Sequence, residues 1–495
     1  MTGGAEQGAA TGGAEQSAAT GVPQVVLVRR GAYHDSVTLM RVSRALSELP
    51  GVQAAMVAMA TDLNVSILRE MGFDVPASDP GDLLIAVRAH DTDTAAGQAE
   101  RLLTEVDRPR ATPDEQPPLT TRSAATRGPA DLVLVSTPGE YAFFEALDAI
   151  EAGLPVMIFS DGVTLAQERR LKELAEARDV LVMGPDCGTA AIGGAGLGFA
   201  NVLTPGPVGV VAASGTGAQQ VTCLLDRAGV GVSHVLGVGG RDLSAEVGGL
   251  SARRALRMLD EDPATELIVF ISKPPAPEVA QAVLGQPLRK PVVPVLLGPP
   301  ADARTAAGGS SQASGHTAGP SPAPGRLPVG DLTQAAEQAL RALGRPVPEW
   351  PSWLAPPGTR PAPKRIKGLY SGGTLGVEAA LLAGHGDFVD YGDDAFTRGR
   401  AHPMIDPTLR VEALARAGER DVALMDVVLG HGADPDPAAS LAPAIAGTPA
   451  TVVVALIGTE GDPQDLHRQV AAFREAGASV FTSNAQAARH ARSLL

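Results

Sequence analysis

The chain has 495 residues, of which 44% are hydrophobic and 19% charged, and its formal net charge is −15. This length predicts three or four domains, the composition is that of a soluble globular protein, and the acidic balance argues against nucleic acid or an acidic membrane as a partner. Two cysteines give no disulfide framework, which favours the cytoplasm, and no apolar run has the roughly 18 residues that a membrane helix needs.

The N-terminal region is predicted to contain a disordered tail and a small α/β domain. Residues 1–22 repeat the sequence TGGAEQ and are too rich in glycine and alanine to form a core. Three apolar runs, separated by segments of helical periodicity, predict a compact βαβαβ unit over residues 23–105. The predicted strands are 24–30, 52–59 and 82–88. Residues 106–130 lack periodicity and predict a linker.

Two further α/β segments follow, and their strands end in small polar residues. Residues 131–205 alternate strand and helix patterns as in a Rossmann-like domain, and residues 206–300 continue in the same way. In such folds, ligands bind at the edge where the parallel strands end. The candidate binding residues at these strand ends are Ser136, Gly139, Gly184, Pro185, Asp186, Cys187, Ser214, Gly215, Thr216, Gly239 and Gly240.

The turn at residues 214–217 is the most informative of these clusters. It lies between the strand VGVVAA and the helical pattern AQQVTCLLDRAG, so it is predicted to begin a helix. Free N–H groups and the helix dipole at such a start favour an anion such as phosphate or carboxylate, and glycine lets the backbone approach it. The alternative is a tight turn without a ligand, although three such clusters favour binding.

The C-terminal region is predicted to contain a flexible linker at residues 301–362 and a last α/β domain at residues 363–495. The first strand of this domain ends in a turn whose candidate ligand-binding residues are Gly372, Gly373 and Thr374. A long polar loop at residues 389–407 suits an anionic or amide substrate. Its candidate catalytic residues are Arg398, Arg400 and His402. The alternative is a structural loop tied by Arg–Asp pairs.

The motifs GPDCGTAAI, ASGTG and LGVGGRD resemble the α subunit of succinyl-CoA synthetase and related NDP-forming acyl-CoA ligases over about residues 131–300. The resemblance implies several Rossmann-like or flavodoxin-like doubly wound parallel-sheet domains, the first of them CoA-binding-like. An early Gly-rich CoA-phosphate turn is missing, and Lys273 stands in the turn where the ligases carry a glutamate that supports a phosphohistidine. The sequence GHTAG around His316 resembles the phosphohistidine loop but falls in the predicted linker, which favours a linker histidine.

Taken end to end, the chain resembles the FdrA family of acyl-CoA-synthetase-like proteins in the motifs RRGAYHDSVTLMRVS, GLYSGGTLGVEA, DDAFTRGRAHPMIDP and LMDVVLGHGADPDPA. This implies a subunit of oxamate carbamoyltransferase, which acts in allantoin breakdown with further protein subunits. Phosphate or carbamoyl phosphate would bind the amides of residues 214–217, Arg398 and Arg400 would hold the oxamate carboxylate, and CoA stays open as a ligand. Two alternatives remain: an NDP-forming acyl-CoA ligase working with a separate ATP-grasp subunit, and a noncatalytic scaffold.

Overall fold

The computed structural model of the chain describes residues 22–106, 118–297, 330–356, 362–397 and 400–495. These residues form a small N-terminal unit and a large unit that holds the residues from 118 onward. The predicted tail, apart from Val22, and the candidate residues His316 and Arg398 lie outside the described residues. None of the described helices is both long and apolar enough to cross a membrane.

The N-terminal unit is a three-stranded sheet of order β1-β3-β2 with three helices. Its elements are β1 (Gln24–Arg29), α1 (Ser36–Ser47), β2 (Val52–Met59), α2 (Asp62–Glu70), β3 (Leu83–Ala89) and α3 (Thr92–Val106). Strand β3 runs antiparallel to both neighbours, so the predicted parallel arrangement is wrong for this unit. The physical reason is that α1 joins β1 to β2, which run in the same direction one strand apart, and β3, buried on both faces, fills the gap between them in the opposite direction.

The large unit begins with a short parallel sheet of order β4-β5-β6. Its elements are α4 (Thr121–Ala125), β4 (Val133–Val135), α5 (Gly139–Glu151), β5 (Val156–Ile158), α6 (Leu165–Ala177) and β6 (Val182–Met183). The strands and the two helices α5 and α6 follow the predicted strand–helix alternation. All three strands end at the same edge, where the candidate turns begin.

The predicted linker at residues 106–130 contains the short helix α4 in its described part, which the sequence analysis did not predict, and the linker itself stays a prediction. A capping box closes the start of α4. Arg122 forms ion pairs of 2.7 Å with Asp148 and 2.6 Å with Glu151, both on α5. Polar anchors of this kind leave no hydrophobic period in the sequence, which is why pattern analysis missed the helix.

The second sheet has six strands in the order β12-β11-β9-β10-β7-β8. Its elements are β7 (Thr189–Ile192), β8 (Ala195–Gly198), β9 (Pro205–Ala212), α7 (Gly215–Arg227), β10 (Val232–Gly237), α8 (Leu250–Glu261), β11 (Leu267–Ser272), α9 (Pro277–Leu284) and β12 (Val292–Leu296). Strands β9 to β12 are parallel, as expected. The hairpin β7-β8 joins them through β7, which runs antiparallel to β10.

The third sheet has the order β13-β18-β17-β16-β14-β15 and is parallel except for β13. Its elements are α10 (Leu332–Ala342), β13 (Ser352–Trp353), β14 (Arg365–Tyr370), α11 (Gly373–Ala383), β15 (Asp387–Asp390), α12 (Asp394–Thr397), α13 (Thr408–Ala415), β16 (Asp421–Val428), α14 (Pro437–Gly447), β17 (Thr451–Ile457), α15 (Leu466–Glu475), β18 (Ser479–Phe481) and α16 (Asn484–Ser493). The parallel-sheet α/β class is thus confirmed for the large unit, while the domain boundaries stay predictions.

The segment predicted as a flexible linker at residues 301–362 contains α10 and β13, and the prediction was wrong for these elements. Asp331 caps α10 by accepting a hydrogen bond of 2.8 Å from the Gln334 N–H. The helix buries Leu332, Ala336 and Leu340 completely. These residues recur at helical spacing, but the surrounding Ala, Gly and Pro content hid the short period.

Candidate functional site

Two helix starts face each other in the large unit. Helix α7 begins at Gly215 after β9, and α11 begins at Gly373 after β14. The Ser214 Oγ donates a hydrogen bond of 2.7 Å to the Thr374 Oγ1, which joins the two starts across 160 positions of sequence. The candidate residues of these two turns therefore lie together, at the carboxyl ends of parallel strands.

Glycines allow the two starts to pack closely. A Cβ on Gly372 would stand 2.5 Å from the Thr216 Oγ1, so only glycine leaves room for that side chain. Gly215 faces Thr189 instead, and its added Cβ would stand 3.0 Å from the Thr189 Oγ1. A larger residue at 215 would therefore press on β7.

Five backbone N–H groups at the two starts remain available to a ligand. Those without a hydrogen-bond partner, within the described part of the chain, belong to Gly215, Thr216, Gly373, Thr374 and Leu375. The Ser214 hydroxyl is already used, because it accepts a bond of 3.0 Å from the third N–H of its own helix. Unpaired N–H groups and two helix dipoles aimed at one place favour an anion there.

A buried ion pair braces the turn before α11. The Asp426 carboxylate, at the end of β16, accepts bonds of 2.8 Å from the Ser371 N–H, 2.9 Å from the Ser371 Oγ and 2.8 Å from the Gly372 N–H. Its charge is balanced by Arg410, whose Nη1 lies 3.2 Å from the Asp426 Oδ1. Burial raises the pKa of Asp426, and Arg410 opposes that rise. The carboxylate uses the N–H groups just before the helix and leaves those of its first turn unpaired.

Lys273 stands beside the start of α11. It follows β11, and its Nζ would lie 3.4 Å from a Cβ on Gly373, with the Asp390 carboxylate closer still to that position. The side chain is exposed, and its ammonium forms no ion pair with any of the described residues. Burial raises the pKa of both Asp186 and Asp390, and the Lys273 charge partly offsets each rise. The position of Lys273 beside this helix start suits anion binding.

Carboxylates from three turns frame the other side of the site. Burial of the Asp186 carboxyl, together with the charges of Asp161 and Asp394, raises the pKa of Asp186 to about 6. Burial, followed by the charge of Asp394, also raises the pKa of Asp161. All three residues keep exposed surface, so solvent still screens these charges. Among the described residues, no group of three or more His, Cys, Asp or Glu could hold a metal ion.

The turns after β4 and β5 are packed against each other, and so are the turns after β6 and β10. A Cβ on Gly139 would lie 2.7 Å from the Gly162 carbonyl carbon. Gly239 has φ +86°, and a Cβ there would lie 2.6 Å from the Pro185 oxygen. At these positions glycine allows the close approach of two backbone segments, not of a ligand. Gly240, by contrast, faces open space.

Cys187 is part of the core beneath these turns. Its buried Sγ lies 3.6 Å from the Thr189 oxygen, to which it donates, and would lie 2.5 Å from a Cβ on Gly237. Burial raises the pKa of the thiol to about 12, so it is not a nucleophile at neutral pH. Gly184, with φ +94°, forms the turn above it. Ser136 is half-buried at the end of β4.

The three candidate catalytic residues lie in or next to the loop after α12. Arg398 is outside the described residues, and Arg400 is exposed. His402 accepts a hydrogen bond of 3.3 Å at Nδ1 from the Met404 N–H, and its ring centroid is 5.6 Å from that of Phe199. Burial lowers the pKa of His402 to about 4. The imidazole is therefore neutral at pH 7 and carries its proton on Nε2, where it can donate a hydrogen bond.

Sequence analysis missed the buried charges that hold the turn after β10. The Lys172 Nζ donates to the Glu168 Oε1 at 2.8 Å, to the Asp242 Oδ1 at 2.8 Å and to the Val238 oxygen at 2.9 Å. These three charged side chains are almost fully buried. Lys172 lies in a helix whose sequence looks like a solvated charged surface, so only the three-dimensional fold brings these charges together.

Two family models match parts of the chain. One, described as "AllF, heavy metal-associated domain", matches residues 22–120, and the other, described as "CoA-ligase", matches residues 369–494. Residues 22–120 contain no cysteine, so the first match brings no thiolate metal ligands. The second covers the third sheet from the end of β14 onward, including the α11 start.

The uncharacterized protein YahF of Escherichia coli (strain K12) is 35% identical over 520 residues, and the match covers 95% of this chain and 98% of YahF. The chain belongs to the same family as YahF. It is also 30% identical to the succinate–CoA ligase [ADP-forming] subunit alpha 1 of Archaeoglobus fulgidus and 29% to the ADP-forming sulfoacetate-CoA ligase subunit SauD of Bilophila wadsworthia. These matches cover 36% and 33% of this chain, and 62% and 58% of the two relatives.

Among solved structures, the chain is similar to the dinucleotide forming acetyl-coenzyme A synthetase 1 of Ca. Korarchaeum cryptofilum in complex with phosphate and ADP, with 18% identity and a TM-score of 0.28 over 74% of this chain and 82% of that one. The sequence relatives confirm the predicted likeness to succinyl-CoA ligase α subunits. The FdrA name and the carbamoyltransferase activity find no support in these matches, and both stay predictions.

Proposed function

We propose that the chain is a subunit of an enzyme of the acid–thiol ligase type, and that its two facing helix starts bind phosphate or the phosphate group of an acyl phosphate. One observation carries this proposal: unpaired N–H groups of α7 and α11 meet next to Lys273, whose ammonium has no ion-pair partner among the described residues. All of these groups are positive or hydrogen-bond donors, and together they suit a small anion.

The chemistry of this site is the making and breaking of an acyl–phosphate bond. A nucleophile attacks the acyl carbon, the bond from that carbon to the phosphate oxygen breaks, and the phosphate leaves with the electron pair. The N–H groups and Lys273 hold the negative charge that develops on the leaving phosphate. In reverse, the bound phosphate is the nucleophile. Asp426 keeps the α11 turn in place through its bonds to Ser371 and Gly372.

Two parts of a ligase reaction, nucleotide binding and thiol binding, are not assigned to residues of this chain. The ligase relatives are named as subunits, and we expect a partner subunit to bind the nucleotide. The thiol of these relatives is CoA, for which Gly139, Gly184 and Gly239 were candidates. At each of these glycines the space of a side chain is taken by neighbouring backbone, so turn packing accounts for the glycine and we derive no step through CoA.

A second candidate, carbamoyl transfer between oxamate and carbamoyl phosphate, is favoured by Lys273. Carbamoyl phosphate is an acyl phosphate and suits the same helix starts. Its transfer to oxamate needs neither a thiol nor a phosphohistidine, and Lys273 stands where the ligases use a glutamate to support that histidine. Arg400 and the neutral His402 would then contact the oxamate carboxylate and amide.

Phosphate titration by calorimetry, followed by one labelling experiment, tests both candidates. The chain, purified with the subunits that accompany it, is incubated with radiolabelled phosphate and either a panel of acyl-CoA thioesters or oxalurate. Labelled acyl phosphate from a thioester supports the ligase type, and labelled carbamoyl phosphate from oxalurate supports carbamoyl transfer. A chain that binds no phosphate at millimolar concentration would be a scaffold, and both proposals would be wrong.

A further inference from the structure

A buried pair of amides connects α7 to α11 beneath their starts. Asn484, the first residue of α16, donates through Nδ2 to the Leu375 oxygen at 3.0 Å and to the Glu378 Oε2 at 2.7 Å, both on α11. Its backbone N–H donates to the Gln220 Oε1 of α7 at 2.8 Å. Asn484 and Gln220 have no exposed surface. A single buried junction therefore joins the two helices whose starts face each other.

The other polar atoms of both amides are also paired. The Gln220 Nε2 donates to the Thr482 oxygen at 3.1 Å, and the Asn484 Oδ1 accepts a bond of 3.1 Å from the Tyr370 hydroxyl. Buried amides with every partner in place permit one arrangement and resist displacement, because each lost bond leaves a buried polar atom unpaired. This Gln220–Asn484 clamp, together with the Ser214–Thr374 bond, therefore fixes α7 against α11.

We propose that Gln220 and Asn484 are positioning residues, which set the separation and angle of the two helix starts so that N–H groups from both reach one phosphate. The inference rests on the proposed function. Leu375 is the third residue of α11 and Gln220 the sixth of α7, so a shift at the clamp moves each start directly. Hydrogen bonds weaken steeply with misalignment, and a binding site tolerates only about 0.5 Å of displacement.

The variant Gln220→Met tests this role, because methionine keeps the length of the side chain and loses both hydrogen bonds. Gln469→Met is the matched control. Gln469 is also fully buried, accepts from the Ala438 N–H at 2.9 Å, and donates to the Asp436 Oδ1 at 3.1 Å and the Gln464 oxygen at 3.2 Å. It lies on α15, which packs on α14 and β18.

We expect both variants to lower the melting temperature by similar amounts, and only Gln220→Met to weaken phosphate binding, at least tenfold by calorimetry. If Gln220→Met does not fold, Gln220→Glu replaces it, since a carboxylate still accepts from the Asn484 N–H but cannot donate to the Thr482 oxygen. At least threefold weaker phosphate binding is expected for that variant.

Wild-type phosphate affinity in the folded Gln220 variant would contradict the positioning role of the clamp and leave the proposed function standing. Equal weakening in Gln469→Met would also overturn it, because loss of any buried amide would then have the same effect. Absence of phosphate binding in the wild-type chain would overturn the proposed function and the clamp with it.

Discussion

The two helix starts of the site have similar sequences but are held by different means. At α7 the turn is Ser-Gly-Thr-Gly, and Ser214 caps the helix with its own hydroxyl. At α11 the turn is Ser-Gly-Gly-Thr, and its N-cap glycine has no side chain to cap with. There the buried pair Asp426–Arg410, from β16 and α13, holds the turn through two backbone N–H groups. Similar turns thus depend on a local hydroxyl in one case and on a distant ion pair in the other.

The largest effect is expected from Asp426→Ala. This change removes three hydrogen bonds from the α11 turn and leaves Arg410, which is 3% exposed, without its counter-charge. Removing one partner of a buried ion pair costs about 3–5 kcal/mol. Urea denaturation followed by circular dichroism measures the loss. A cost below about 1 kcal/mol would mean that the ion pair does not brace this turn.

Lys273→Met should weaken phosphate binding while leaving stability unchanged. A charge-assisted hydrogen bond contributes about 1.5–3 kcal/mol, which corresponds to roughly ten- to hundredfold in affinity. The side chain is exposed, so the melting temperature should not move. Lys364→Met is the control, since this exposed lysine precedes β14 at the opposite end of the strand from the site. Equal phosphate affinity in wild type and Lys273→Met would remove the lysine from the site.

Sequence analysis predicts the features that depend on local interactions and misses those that depend on contacts between residues distant in the chain. Strand β2 was predicted at its observed bounds, because an apolar run of this length is a local signal. The antiparallel direction of β3 was not predicted, because the pairing of strands depends on partners that are distant in the chain. The turns of α7 and α11 were both singled out. Their contact through Ser214 and Thr374 was not foreseen, because nothing in either turn specifies a partner 160 positions away.

Ser214→Ala should have a smaller effect than Asp426→Ala. It removes the N-cap bond to α7 and the bond to Thr374, and loss of an N-cap typically costs about 1 kcal/mol. Ser214→Thr keeps a hydroxyl and should recover most of the stability in the same urea experiment. A loss of stability as large as that of Asp426→Ala would show that the two helix starts are held equally strongly.

The smallest effect is expected at Asp186, among the carboxylates of the site, and it depends on pH. The pKa of Asp186 is raised from 3.8 to about 6 in the folded chain, first by burial and then by the charges of Asp161 and Asp394. A folded-state pKa above the unfolded value means that the protonated carboxyl favours folding, so its stabilisation is present below pH 3.8 and is lost as the pH rises through about 6.

Asp186→Asn removes this titration and keeps the backbone, since φ is +56° and asparagine adopts that region readily. The variant should therefore gain stability relative to wild type between pH 4 and pH 7, by a small amount because the residue keeps exposed surface and solvent screens its charge. Melting temperatures across this pH range measure the difference, and a difference that does not change with pH would show that Asp186 is not titrating beside its neighbours.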